Sequence, residues 1–102
     1  MDILERLIQQ GFSLRSFPAY PRHLGVEKYN CVALLEPTPQ GRWKQFGSAG
    51  YLLEGQIALL VERQGQPTFV YKSKQLRASG EPLKSFRRFE EELRAALEQQ
   101  EA

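Results

Sequence analysis

The sequence predicts an α+β fold. An antiparallel meander of four to five strands lies between a short N-terminal helix and a long C-terminal helix, which packs on one sheet face. Three observations predict it. Apolar residues step at three and four positions only near the two ends of the chain. Between them lie strand-like runs separated by glycine- and proline-containing turns. The 102 residues, 41% hydrophobic and 25% charged, suit one folded domain spanning 1–102.

The first helix rests on Ile3, Leu4, Leu7 and Ile8, with Asp2 placed to cap it, Glu5 three residues on, and Gly11 to end it. Residues 12–17 read as a first strand. Residues 18–28, with Pro18, Pro21 and Gly25, read as a loop that also holds Tyr20, Arg22 and His23. Residues 29–36 form a strand that is apolar on both faces, hence central. After a turn at 37–41 comes a more polar strand, 42–46, loosened at 47–50 and resumed at 51–53. Glu54-Gly55 signals a tight turn. Residues 57–63 are the strongest strand, and after a turn at 64–67 residues 68–72 close the meander. Residues 82–99 form the last helix, with Leu83, Phe86, Phe89 or Glu90, Leu93, Ala96 and Leu97 on its stripe. Ile57, Leu59, Val61 and Leu34 are expected beneath that helix, against Phe86 and Leu93.

Charge is unevenly placed. Residues 72–88 carry six bases against one acid, while 89–102 carry five acids against one base, although the chain total is only +2. A concentrated basic segment attracts anions, because its field adds locally. Lys72, Lys74, Arg77, Lys84, Arg87 and Arg88 are therefore the candidate anion-contacting set. Trp43 joins them, since an aromatic ring between bases suits stacking on single-stranded nucleic acid. The same charges also read as a solvated helix face, with Arg87–Glu91, Arg88–Glu92 and Glu90–Arg94 as neighbours one turn apart.

Other chemistry has little to work with. Cys31 is alone, so no internal disulfide forms, and it reads as a small buried hydrophobe. His23 is the single histidine, and no cluster has metal-ligand spacing. No enzyme activity and no cofactor are expected. No apolar run is long enough for a membrane helix and no signal core is present, which places the protein in the cytoplasm and away from membranes.

The helix–strands–helix order resembles that of the double-stranded RNA-binding domain. The resemblance is one of order alone, because the glycine and lysine pattern of that family is not matched around Lys84 to Arg88. The expected function is that of a small non-enzymatic binding protein. It contacts nucleic acid or another anionic partner through the basic patch at the start of the last helix. The alternative is a protein-interaction or assembly subunit, a homodimer, that uses an apolar sheet face or edge.

Overall fold

A computed structural model describes residues 2–100 of the chain. The elements run α1 (Ile3–Gln9), β1 (Ser13–Arg15), β2 (Leu24–Lys28), β3 (Cys31–Pro37), β4 (Trp43–Leu53), β5 (Gln56–Arg63), β6 (Gln66–Tyr71), β7 (Lys74–Arg77) and α2 (Gly80–Glu98). The strands form one antiparallel sheet in the order β1-β2-β3-β4-β5-β6-β7. The meander between two helices is as expected, but it has seven strands rather than four to five.

The two extra strands have identifiable causes. β2 lies inside the segment read as a loop, masked by two prolines and Gly25. Gly25 is in the strand because a side chain will not fit there. A Cβ at that position would sit 2.5 Å from Cε2 of Phe17, whose ring lies over the strand. β7 occupies what was read as a link to the last helix. Its sequence, Lys-Gln-Leu-Arg, is too polar to signal a strand, yet it pairs with β6 from Thr68↔Arg77 to Tyr71↔Lys74. The hairpin turns at Tyr29-Asn30, Glu54-Gly55 and Gln64-Gly65 all take positive φ at both residues. That conformation matches the twist of paired strands. Only the second and third advertise themselves with glycine.

Helix α1 starts as its sequence requires: the Asp2 carboxylate accepts from the Glu5 N–H at 2.8 Å. Both helices lie on one sheet face. The core there joins Ile3 and Leu7 of α1 to Phe86, Phe89, Leu93 and Ala96 of α2, over Val26, Cys31, Ala33, Leu35, Ala49, Ala58 and Phe69. Phe69 stacks on Tyr51 at 5.0 Å and meets Phe86 edge-on at 5.2 Å.

The expected set beneath the last helix is corrected in part. Phe86 and Leu93 are buried there, but Ala58 lies under them, not its neighbours Ile57 and Leu59. Side chains alternate across a strand, so Ile57, Leu59 and Val61 point to the opposite face. Leu34 also lies there, in a second cluster with Phe17, Val32, Leu52 and Ile57.

Candidate functional site

Three places in the fold could carry function: the sheet face away from the helices, the groove between β4 and α2, and the ion-paired corner around Glu92.

The face away from the helices is apolar and largely uncovered. Phe17, from the chain before β2, shields Val32 and Leu34. Beyond it Phe46, Leu59 and Val61 are 40%, 45% and 39% exposed. Phe46 stands opposite Leu34 in the β3–β4 ladder, which fixes it on this face. His23 packs its ring on Phe46 with centroids 4.0 Å apart and meets Tyr20 edge-on at 6.3 Å. Its Nε2 lies 3.4 Å from Glu36, which also pairs with Lys44 at 3.2 Å. Arg15 pairs with Glu27 at 2.8 Å toward the β1 edge. His23 is therefore a packing residue of this face.

The groove between the β3–β4 hairpin and α2 has a volume of about 830 Å³. Trp43, Lys44 and Gln45 line one wall, and Arg87, Glu91 and Arg94 the other. The main chain of Trp43 is tied to the Gln100 side chain across its end.

Of the seven residues singled out from sequence, the groove brings together two, Trp43 and Arg87. The others meet separate counterparts. Lys72 lies over the Tyr71 ring at 5.5 Å. Lys74 pairs with Glu54 across the sheet. Arg77 ends β7, opposite Thr68. Lys84 faces Glu81 at 4.0 Å. Arg88 pairs with Glu92 at 2.9 Å and lies over the Tyr29 ring at 4.9 Å. The expected Arg88–Glu92 pair thus forms. Arg87–Glu91 and Glu90–Arg94 form no ion pair among the described residues, which leaves those charges turned to the groove.

Sequence reasoning found only the Arg88 part of the Glu92 corner, whose other partners lie more than 60 positions away. Glu92 accepts from Lys28 Nζ at 2.6 Å and from the Tyr29 hydroxyl at 2.8 Å, besides Arg88. Desolvation pushes its carboxyl up, but the hydrogen bonds from Lys28, Tyr29 and Arg88 outweigh this and hold it below the usual range. Lys28 is pushed down by desolvation and raised more strongly by Glu92 and Tyr29, so it ends above its usual value. A depressed carboxyl stabilises the fold above its unfolded pKa, and that contribution is lost as pH falls through the folded value. A raised ammonium stabilises below its unfolded pKa, and that contribution is lost as pH rises through the folded value. The stability gap between the parent and Glu92→Gln should therefore be widest between about pH 5 and pH 10 and narrow on both sides. Urea midpoints measured across pH check this, and a gap that does not change with pH would show the corner to be uncoupled.

Cys31 is fully buried, and desolvation, with a smaller contribution from Glu90, pushes its thiol up to about 12. It is inert packing, as its apolar surroundings implied. Among the described residues no cluster of His, Cys, Asp and Glu could hold a metal ion, and no helix is long and apolar enough to cross a membrane. No family model matches the sequence, and neither the curated proteins nor the solved structures contain a match.

Proposed function

We propose that the protein is a non-enzymatic interaction module that self-associates through the sheet face away from its helices. The observation that carries this is the exposure of Phe46, Leu59 and Val61 on the same sheet face, beside half-buried Ile57. Large aliphatic side chains grouped on a soluble domain's surface favour burial against a partner. The occupant proposed is a second copy, because an apolar face is complementary to itself. Two of its ion pairs, Arg15–Glu27 and Lys44–Glu36, are neutralised in place, while Arg63 and Arg77, which the register puts on the same face as Val61, lie toward its β5–β7 end.

The nucleic-acid reading draws its support from the basic segment, and it needs the six bases on one surface. Lys74 and Arg88 are each paired with an acid, and Arg87 sits apart in the groove. The interaction reading therefore takes first place.

Sedimentation equilibrium tests it. The parent should be a dimer burying roughly 1,200 Å² or more in total. A Leu59→Lys, Val61→Lys variant should be a monomer with unchanged far-UV circular dichroism, because both side chains already face outward. A parent that stays monomeric at high concentration overturns the proposal. If that monomer binds an oligonucleotide at low salt, with log affinity falling about 0.7 per contacted phosphate per log unit of salt, the basic segment regains first place.

A further inference from the structure

The outer half of β5 is covered on neither face. Neighbouring residues of a strand point to opposite faces, yet Leu59, Leu60 and Val61 are all exposed, as are Glu62 and Arg63. The face away from the helices accounts for Leu59 and Val61. It does not account for Leu60, which shares the helix side with Ala58.

The same stretch has an open edge. The β4–β5 ladder ends at Gly50↔Leu59. Beyond that point β4 follows β3 instead, past a shift in register between Val32 and Leu34 and the positive φ of Gly47. Hairpin geometry decides which main-chain groups of β5 are left over. Leu53↔Gln56 closes a two-residue turn and is a hydrogen-bonded pair, and bonded pairs recur at every second residue. Gln56 and Ala58 turn their N–H and C=O to β4. Leu60 and Glu62 turn theirs the same way, where no strand pairs with them among the described residues. Val61 and Arg63 face β6.

The other edges of the sheet are blunted against pairing. β1 is three residues long. β7 carries Lys74 and Arg77. On the free half of β4 the Gln100 side-chain amide takes up both the N–H and the C=O of Trp43, at 2.8 and 2.7 Å. The outer half of β5 keeps the rungs at Leu60 and Glu62 open beside exposed apolar side chains.

We infer that self-association is centred on this edge: β5 pairs antiparallel with β5 of a second copy, about a two-fold axis at Val61. The inference rests on the self-association reading and fixes how the two copies align. Residues with outward main-chain groups must face one another, which leaves the axis at Leu60, Val61 or Glu62. With Leu60 opposite itself, Glu62 meets Ala58 of the second copy, whose main chain already pairs with Tyr51. With Glu62 opposite itself, two carboxylates are directly opposed, which is destabilising. With Val61 opposite itself, Leu60 meets Glu62 in both directions and every open rung is filled. Leu59 and Val61 of the two copies then form one apolar row across the axis, and Arg63 lies beside Leu59 rather than beside another cation.

Intermolecular disulfides test the axis. Residues of a non-bonded pair lie about 4.5 Å apart at Cα, within disulfide reach. Val61→Cys should therefore form a covalent dimer under oxidised glutathione, seen on a non-reducing gel. Leu59→Cys lies on the same face and is more exposed, but should not, since its counterpart is four residues along, about 13 Å away. Cys31 is buried and stays reduced. Glu62→Pro removes an outward N–H and leaves the β6 ladder intact. It should weaken association about tenfold or more in sedimentation, through two hydrogen bonds lost per dimer, with unchanged far-UV circular dichroism. If the parent associates but Val61→Cys gives no covalent dimer, or Leu59→Cys gives one as readily, the edge pairing is overturned while self-association stands. Association of a folded Glu62→Pro variant at the parent's strength overturns it in the same way. A parent that stays monomeric overturns both.

Discussion

Phe89→Ala should cost about 3–5 kcal/mol of unfolding free energy, the range for deleting a fully buried ring. Phe89 is fully buried, with its centroid 5.8 Å from that of Phe12 and Leu7 and Leu93 in the same cluster. It joins α2 to the segment that follows α1, so no single element can shift to refill the space. Leu93→Ala, one turn along, should cost about 2–5 kcal/mol. Urea titration monitored by circular dichroism measures both. A loss below about 1 kcal/mol for Phe89→Ala would mean that α2 is not seated on the sheet as described, because deleting a fully buried ring costs more than that.

Gly50→Ala should also be damaging, although it adds a single methyl group. A Cβ at position 50 would lie 2.6 Å from Cγ2 of Ile57 and 2.7 Å from the Ala58 carbonyl oxygen. The side chain can rotate away, but the carbonyl belongs to the β4–β5 ladder and cannot. The two strands must part at the point where their pairing ends, Gly50↔Leu59. Overpacking of this kind costs about 1–3 kcal/mol. Gly55→Ala is the control: it lies in the neighbouring turn at φ +80, where a Cβ meets nothing within 4 Å. Its cost is that of the backbone conformation alone, about 1 kcal/mol. If Gly50→Ala proves no worse than Gly55→Ala, the close approach of β4 and β5 is wrong.

Local chemistry was legible where a residue acts on its immediate neighbours. Asp2 caps α1, Glu54-Gly55 turns the chain, and the stripe of Phe86, Leu93 and Ala96 marks the buried side of α2. None of these needs a distant partner. Tyr29-Asn30 was not legible, because neither residue is a glycine and both were absorbed into an apolar strand. The candidate sites fared less well. Contiguity along 72–88 implied one basic surface, but a hairpin turn at Lys72 and the strand β7 interrupt that segment. The groove between β4 and α2 left no local signal, since its two walls are far apart in the sequence.

The sequence by itself determined the class of fold, its two helices and the presence of strands with two apolar faces. Only the tertiary structure decided which face the helices cover. Alternation sorts β5 into Ala58, Leu60 and Glu62 on one side and Ile57, Leu59 and Val61 on the other, and the wholly apolar set looked like the core. The helices chose the other set. Phe86, Phe89 and Leu93 are bulky, and they fit over Ala33, Ala49 and Ala58 because small residues beneath let a helix approach closely. Complementary volume, which no single strand reveals, buried the alanines and left the leucine and valine of β5 facing outward.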